Sequence, residues 1–256
     1  MGMGMGTGMG LGEKMRCGTK AALSFFYPEI CQYCREQWAE PEEGFICREC
    51  ARNVRFIEPP FCSRCGLPFA GDLTTAFDCA NCRELELYFC HGRAAVAATG
   101  MVLDLIHRWK YQRALWLEPF LAKLFAQHVA KNIDVREWDI IVPVPLHPAK
   151  LHEREFNQAE HLAWQLGNVL QLPVCRAAVT RIAPTATQTR LTRAARNENM
   201  QRAFAPGVTD PVRRRRVILV DDVLTTGATT SACARVLREA GAAEVCVWTL
   251  ARGLLH

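Results

Sequence analysis

The sequence lacks any long hydrophobic run. No stretch of about 18 consecutive apolar residues occurs, the length that a membrane-spanning helix needs, although 50% of the 256 residues are hydrophobic. The N-terminus also lacks the basic start, the continuous apolar stretch and the cleavage site of a signal peptide. We therefore expect a cytoplasmic protein without a membrane span. In that reducing compartment, closely spaced cysteines more often bind metal than form disulfides.

Two chemical signatures are absent as well. The chain has no aromatic motif of the kind that RNA-recognition sheets use to stack bases. No catalytic thiol is predicted among the isolated cysteines. These cysteines are Cys17, Cys90, Cys175, Cys233 and Cys246.

Composition divides the chain into three parts. Residues 1–24 include a low-complexity run of glycine and methionine, which is typical of a disordered tail. Residues 25–90 contain the paired cysteines, and residues 91–256 carry alternating strand and helix patterns. The last part is long enough to form one α/β domain, with the cysteine-rich part as a small appendage.

Eight of the thirteen cysteines form four Cys-x-x-Cys pairs. Each pair offers two thiolates to a tetrahedral zinc ion, and the segment is too small to fold on an apolar core alone. Twelve residues separate the first two pairs and thirteen the last two, which favours sequential pairing into two ribbons; cross-braced pairing is the alternative. Both patterns predict two closed, structural zinc sites. The predicted ligands are Cys31, Cys34, Cys47, Cys50, Cys62, Cys65, Cys79 and Cys82.

The run Val217–Thr229 reads Val-Ile-Leu-Val-Asp-Asp-Val-Leu-Thr-Thr-Gly-Ala-Thr. Its four aliphatic residues predict a buried strand, and a helix is predicted over residues 229–240. A turn between a parallel strand and a helix presents backbone N–H groups and the positive end of the helix dipole, which together bind phosphate. The carboxylates of Asp221 and Asp222 suit ribose hydroxyls or a hydrated magnesium ion. The alternative is an ordinary strand end with two solvated carboxylates.

Other segments complete an α/β pattern. Strands alternating with helices imply a parallel sheet with right-handed crossovers, and ligands of such sheets lie beyond the carboxyl ends of the strands. The loop at residues 144–150 and the turn at residues 221–229 should therefore face one ligand. Strands are predicted at residues 139–144, 217–220 and 244–250, and helices at residues 102–110, 119–131 and 157–170.

The run ending at Thr229 resembles the phosphoribosyl pyrophosphate (PRPP) signature of type I phosphoribosyltransferases at every position. From about residue 25 to the end, the chain is similar to the ComF family of ComFC- and GntX-like proteins. One departure is Glu155, where the family usually has glycine. The matching features are the zinc-ribbon head, Trp109-Lys110-Tyr111, Val142-Pro-Val-Pro-Leu-His147, Arg154-Glu-Phe-Asn-Gln158, and Gln188, Leu191, Arg196, Asn197 and Phe204.

This resemblance implies an α/β, parallel-sheet type I phosphoribosyltransferase fold with an N-terminal double zinc ribbon. It also implies binding of PRPP with Mg²⁺ and transfer of the phosphoribosyl group to a nitrogen acceptor with release of pyrophosphate. Asp221 and Asp222 would be the catalytic pair that holds the ribose. The remaining expected contacts to PRPP are Val223, Leu224, Thr225, Thr226, Gly227, Ala228 and Thr229 in the signature, and Leu146, His147 and Lys150 in the pyrophosphate loop.

Arginines are candidates for further anion contacts. Arg154 is a weaker candidate for the pyrophosphate, and a hood over the site would carry Arg190, Arg193 and Arg196. These three recur at helical spacing, so a solvated helix face explains them equally well. His147 has a similar alternative as a surface loop residue, and Lys110 as a helix end whose charge reaches solvent. Purine-salvage enzymes for hypoxanthine or guanine carry aspartate where this chain has Thr225, which argues against those acceptors.

Positive charge is concentrated before the signature strand. The net charge is +5, and nine arginines lie between Arg181 and Arg216 against two acidic residues, with four consecutive arginines at Arg213–Arg216. Such a surface attracts phosphates of PRPP or of nucleic acid. The family link to uptake of external DNA supports a second hypothesis, a single-stranded DNA-binding adaptor of the DNA-import machinery that keeps the PRPP site as a sensor or relic. An unspecialised, solvated loop is the alternative for the four arginines.

Overall fold

The computed structural model describes residues 29–69, 71, 77–183 and 202–254. The predicted tail and the predicted hood arginines Arg190, Arg193 and Arg196 lie outside these ranges. The described strands are β1 (Gly92–Ala97), β2 (Ile140–Pro143), β3 (Val179–Arg181), β4 (Phe204–Pro206), β5 (Arg216–Leu224) and β6 (Glu244–Arg252). The described helices are α1 (Arg48–Arg52), α2 (Ala80–Glu84), α3 (Gly100–Tyr111), α4 (Glu118–Asn132), α5 (Pro148–Arg154), α6 (Gln158–Leu170) and α7 (Ala228–Glu239).

Four strands form a parallel sheet in the order β1-β6-β5-β2, and β3 pairs with β4 in a separate antiparallel ribbon. The central strands β5 and β6 are buried along most of their length, as expected for aliphatic strands covered on both faces. The predicted α/β architecture with a parallel sheet is confirmed. Among the described residues, no helix combines the length and apolar character needed to cross a membrane.

The helices predicted from apolar spacing are present with small shifts at their ends. Helix α6 begins after Asn157, whose side chain accepts a hydrogen bond from the Ala159 N–H as an N-cap. Helix α7 begins at Ala228, one residue before its predicted start, and Gly241 follows it with a positive φ of 94°. Strand β5 continues through the acidic pair to Leu224, so the predicted strand end at Val220 is corrected. The edge strand β1 was not predicted, because its Ala-rich sequence lacks the β-branched pattern of a strand.

The two cysteine-rich ribbons pack on opposite faces of the sheet. Side chains alternate along β5, so Ile218 and Val220 face one layer while Val217 and Leu219 face the other. The first layer contains α3, α4, α6 and the cysteines of the first ribbon. The second contains α7 and the cysteines of the second ribbon. Each ribbon therefore shares a hydrophobic core with the sheet, and the boundaries at residues 25–90 and 91–256 stay a prediction.

Candidate functional site

Two clusters of four cysteines can each hold one metal ion. The first consists of Cys31, Cys34, Cys47 and Cys50, and the second of Cys62, Cys65, Cys79 and Cys82. Pairing is thus sequential, and the cross-braced alternative is excluded. The Sγ atoms of Cys34 and Cys47 are 3.8 Å apart and those of Cys65 and Cys79 are 3.7 Å apart. A tetrahedron with Zn–S bonds of about 2.3 Å has edges of about 3.8 Å, so the sulfur positions fit zinc.

Backbone N–H groups support the sulfur atoms of both clusters. The Cys47 N–H donates to Cys31 Sγ at 3.4 Å, and the Cys79 N–H donates to Cys62 Sγ at 3.3 Å. Such bonds from the knuckle backbone orient metal ligands and reduce the charge that each thiolate carries. Four thiolates leave no open coordination position, so both zinc sites are of the structural type.

The acidic pair lies at the carboxyl end of β5. Asp222 shares a face with Val220, and Asp221 shares the opposite face with Leu219, because adjacent residues of a strand alternate. Both are mostly buried and line one cavity of about 510 Å³. The Asp222 N–H donates to Asp221 Oδ1 at 2.8 Å. The two carboxylates therefore flank the strand end from two sides and open into the same space.

The turn after β5 has the backbone shape of an anion site. Gly227 has a φ of 88°, a left-handed conformation that favours glycine over any residue with a side chain. Helix α7 follows at once, so its N-terminal N–H groups and the positive end of its dipole lie at this turn. Thr226 Oγ1 accepts from the Ala228 N–H at 3.4 Å. Thr225 and Thr229 line the cavity beside the acidic pair.

Four cationic side chains line the same cavity: Lys110, Lys150, Arg154 and Arg181. Lys110 Nζ lies 2.7 Å from Asp222 Oδ2, and both side chains are mostly buried. Burial lowers the pKa of Lys150 from its usual value, and repulsion from Arg154 and Arg181 lowers it further. Burial likewise lowers the pKa of Arg181. Like charges crowded in this way are relieved when an anion binds.

The pKa of Asp221 is raised to about 7, mainly by burial and then by the neighbouring charge of Asp222. Lys110 and Arg181 oppose the shift. A carboxyl group whose pKa is raised by burial and by a second carboxyl group is common where a protein binds a cation or a polar ligand. The site thus combines one carboxylate already paired with lysine and one whose charge is costly without a ligand.

Some residues predicted for the pyrophosphate loop line the cavity, and His147 does not. Leu146 and Lys150 line the cavity, as does Arg154, which also lies over the Tyr111 ring at 5.0 Å. His147 instead caps α5, where its Nδ1 accepts from the Ala149 N–H at 3.2 Å. This contact favours the surface-loop interpretation of His147. Of the signature residues, Val223 lines the cavity, while Leu224 is buried and does not line it.

Sequence reasoning missed two cationic residues of the cavity. The sequence assigns Lys110 no role in the site and offers a helix end whose charge reaches solvent as an alternative, but its side chain is only 15% exposed and paired with Asp222. Arg181 was counted only as part of a basic segment, yet β3 places it in the cavity. The Trp109-Lys110-Tyr111 motif was a usable signal for the first, since Trp109 is fully buried and fixes the helix face. No local pattern marks Arg181.

The four consecutive arginines lie at the other end of β5. Arg216 begins the strand and Asp221 is five residues on, which places the run about 17 Å from the acidic pair at 3.3 Å per residue. Arg215 and Arg216 pair with Asp139 and Glu244 at 3.7 and 3.3 Å. Arg213 and Arg214 are exposed. The basic run is therefore separate from the cavity that the acidic pair lines.

A second groove lies along β1 and α4, with a volume of about 620 Å³. Its wall includes the 42%-exposed Phe56, stacked on His128 at 5.7 Å, together with the cationic Arg93 and Lys131. A chain of ring contacts leads from this groove toward the basic run. His91 of the groove contacts the Trp138 ring at 6.1 Å, and Arg216 lies over the same ring at 5.9 Å.

Comparison with known proteins identifies a matching family model and similar relatives. Residues 22–85 match the family described as "Double zinc ribbon domain". The chain is 31% identical over 235 residues to "Competence protein F" of Haemophilus influenzae, covering 89% of this chain and 98% of the relative. It is 33% identical over 230 residues to "DNA utilization protein YhgH" of Salmonella typhimurium, with the same two shares.

A solved structure with a similar arrangement is the glutamine phosphoribosylpyrophosphate amidotransferase from B. subtilis complexed with ADP and GMP. The likeness has a TM-score of 0.34 and 24% identity, and it covers 50% of this chain and 24% of that chain. A TM-score at this level is too low to indicate function.

Proposed function

Because the chain belongs to the ComF family, which includes proteins named for competence and DNA utilization, we propose that it binds Mg²⁺–PRPP and transfers the phosphoribosyl group to a nitrogen acceptor. The observation that carries the proposal is one cavity in which Asp221 and Asp222 face four cations beside a glycine turn. Carboxylates suit ribose hydroxyls, cations suit a diphosphate, and the turn suits a terminal phosphate. A phosphorylated ribose with a diphosphate needs all three.

Each part of PRPP has a proposed place. The 2′- and 3′-hydroxyls donate to Asp221 and Asp222, and the 5′-phosphate accepts from N–H groups of the turn at Thr225–Thr229. The pyrophosphate lies near Lys150 and Arg154, since these cations lie on α5, which follows β2 at the same sheet edge. Oxygen ligands suit magnesium, which would neutralise part of the charge of the pyrophosphate.

The reaction is a substitution at C1 of the ribose. A nitrogen lone pair forms the new C1–N bond while the C1–O bond to pyrophosphate breaks, and pyrophosphate leaves with that electron pair. The nitrogen then loses its proton to water or to a carboxylate. Our proposal for the protein is mainly orientation: the carboxylates fix the ribose, and the cations stabilise the leaving pyrophosphate. Thr225, in place of the aspartate of purine-salvage enzymes, argues against hypoxanthine and guanine as acceptors.

Two measurements test this function. Calorimetry should detect magnesium-dependent PRPP binding to the wild-type protein and its loss in the Asp221→Asn/Asp222→Asn variant. Pyrophosphate release should then be screened against a panel of amines and nucleobases, with the double variant as background. If the protein binds PRPP but no acceptor leads to pyrophosphate release, the result would support a PRPP sensor instead of an enzyme. Absence of binding would refute both.

A second candidate function is single-stranded DNA binding, favoured by the exposed Arg213 and Arg214 and by the aromatic groove that leads to them. Phosphates would follow the basic run, while bases stack on rings such as Phe56. The family names for DNA utilization fit this candidate, in which the chain acts as an adaptor of DNA import. Fluorescence titration with a labelled oligonucleotide at several salt concentrations tests it. If the arginines bind DNA phosphates electrostatically, the affinity for the oligonucleotide must fall steeply as the salt concentration rises.

A further inference from the structure

The second zinc ribbon touches the turn that the proposed 5′-phosphate needs. Asn81 lies inside the last Cys-x-x-Cys pair, between Cys79 and Cys82, and its Nδ2 donates to the Thr226 carbonyl at 2.8 Å. Asn81 is 4% exposed, so this is a buried hydrogen bond. A zinc knuckle residue is thus bonded directly to the loop between β5 and α7.

Arg252 makes a second connection between the same two parts. Its side chain is fully buried, and its Nη1 donates to the carbonyls of Leu224 and Thr225 at 2.8 and 2.5 Å. On its other side, Nε donates to the Cys65 carbonyl at 3.2 Å and Nη2 donates to Cys65 Sγ at 3.3 Å. One guanidinium therefore joins a predicted zinc ligand to the end of β5.

Charge explains why Arg252 is tolerated in this position. In the described part of the chain no carboxylate pairs with it. A zinc ion held by four thiolates carries two net negative charges, and a buried cation is stable beside such a group. The guanidinium donates to one of these thiolates, as outer partners of metal ligands commonly do. A zinc-loaded second site would thus supply the counter-charge for Arg252, which donates to the carbonyls of the turn.

These hydrogen bonds to carbonyl groups also fix the direction of the neighbouring N–H groups. In a trans peptide the C=O of one residue and the N–H of the next point in opposite directions. Arg252 and Asn81 hold the carbonyls of Leu224, Thr225 and Thr226 on the ribbon side. The N–H groups of the three following residues, up to Gly227, therefore point away from the ribbon.

We propose that Asn81 and Arg252 are positioning residues through which the second zinc ribbon holds the Thr225–Gly227 turn in its anion-binding conformation. The metal state of this ribbon therefore regulates ligand affinity at the site, whereas the first ribbon does not. The choice of anion rests on the function proposed above, but the coupling of ribbon and turn is a separate claim about the ligand-free protein.

The first ribbon provides a matched control. Its knuckle Cys47–Cys50 contains Glu49 at the position equivalent to Asn81, and Glu49 pairs with Arg52 at 2.7 Å on the surface. The Glu49 side chain is 68% exposed, and it lies in the ribbon that packs on the opposite face of the sheet. The variants Asn81→Ala, Asn81→Asp and Glu49→Ala of the full zinc-loaded chain therefore isolate the contact to the turn.

Hydrogen exchange of the ligand-free proteins is the deciding measurement. The amides that hold the turn by hydrogen bonds, those of Ala228, Ser231 and Gly253, should exchange about tenfold faster in both Asn81 variants than in the wild type, as expected for one buried hydrogen bond. The Asp variant keeps the size of the side chain but loses the donor. Zinc content should stay at two ions per chain, and Glu49→Ala should leave the turn unchanged. Unchanged exchange of the turn in Asn81→Ala, or an equal effect of Glu49→Ala, would overturn the proposal.

The effect of Mg²⁺–PRPP on zinc release provides a second measurement of the coupling. If the turn and the second zinc are coupled, Mg²⁺–PRPP should slow the release of one of the two zinc ions to a chromogenic chelator, because coupling is reciprocal. Asn81→Ala should bind PRPP about tenfold more weakly and lose this effect on zinc release. Equal protection of zinc in the wild type and Asn81→Ala would contradict the coupling. If calorimetry shows no PRPP binding to the wild type, the proposed function fails, and hydrogen exchange alone still decides the coupling.

Discussion

Lys110 at the end of α3 is ion-paired with Asp222 at the end of β5, with 2.7 Å between Nζ and Oδ2. The side chains are 15% and 14% exposed, so the pair is largely shielded from water. Asp221, the other carboxylate, has a raised pKa despite the same lysine. Asp222 is thus paired with a lysine while Asp221 carries the cost of burial, and the first three predictions below test this arrangement.

Replacing Lys110 by methionine should weaken Mg²⁺–PRPP binding by about tenfold or more. The variant removes one of the four cations that would face the pyrophosphate, and it leaves Asp222 without its partner. Lys110→Arg should retain most of the affinity because the charge is kept. Calorimetry measures both, with Lys123→Met as the control, since Lys123 pairs with Glu43 at an exposed site. Equal affinity in Lys110→Met and the control would exclude Lys110 from the binding site.

Replacing Asp221 by asparagine should stabilise the ligand-free protein at pH 8 while abolishing PRPP binding. Asparagine removes a buried charge but keeps an oxygen that can accept the Asp222 N–H. A gain of about 1 kcal/mol in a chain of this size raises Tm by about 2–4 °C. Calorimetric melting measures the Tm of Asp221→Asn and of the control Asp104→Asn, which changes a half-exposed side chain. A lower Tm in Asp221→Asn would mean that the carboxylate has a structural partner.

The stabilisation by Asp221→Asn should depend on pH. The pKa of Asp221 is about 7 when folded and near 3.8 in its ordinary state. Between these values the folded wild type binds more protons than the unfolded chain, so this group makes stability fall as pH rises. The Tm difference between variant and wild type should be near zero below about pH 4, grow up to about pH 7 and stay constant above it. Denaturation at a series of pH values checks this; a pH-independent difference would contradict the raised pKa.

Freshly purified, reduced protein should contain two zinc ions per chain, one in each closed site. Cys31→Ser and Cys62→Ser should each retain one. Because each cluster shares a core with one face of the sheet, each substitution should also lower the stability of the elements on its own face. Metal analysis and hydrogen exchange measure these effects. Protein without zinc, or loss of both ions in either variant, would contradict two independent sites.

If single-stranded DNA binds at the basic run, Mg²⁺–PRPP should not compete with it, because Arg216 and the acidic pair lie at opposite ends of β5. Arg213→Gln/Arg214→Gln should reduce the slope of log affinity against log salt by about 1.4, given about 0.7 for each phosphate contact of a single strand. An Arg154→Gln variant is the matched control at the other end of the sheet. Competition by PRPP would place the DNA in the cavity instead.

The fold and the position of the acidic pair could be predicted because their signals are local. Aliphatic runs specify buried parallel strands, and a carboxyl strand end followed by a glycine turn specifies which sheet edge holds Asp221 and Asp222. The cysteine spacing likewise specified two sites, although only the folded ribbons excluded cross-bracing. Lys110 and Arg181 were missed because their electrostatic interactions with the acidic pair of β5 join residues far apart in the chain. Nothing in the local pattern distinguishes Arg181 from a surface cation, whereas Lys110 had one local signal, its place beside the buried Trp109.

The sequence by itself determined the parts of this protein: four cysteine pairs, a parallel α/β pattern, an acidic pair and a glycine turn. Tertiary structure alone decided how those parts meet. The ribbons lie on opposite faces of the sheet because alternate side chains of β5 bury against different layers. The second ribbon reaches the turn through Asn81, which is 145 residues from Thr226 in the chain. Contacts at such separations depend on the packing of the whole sheet, and no short stretch of sequence encodes them.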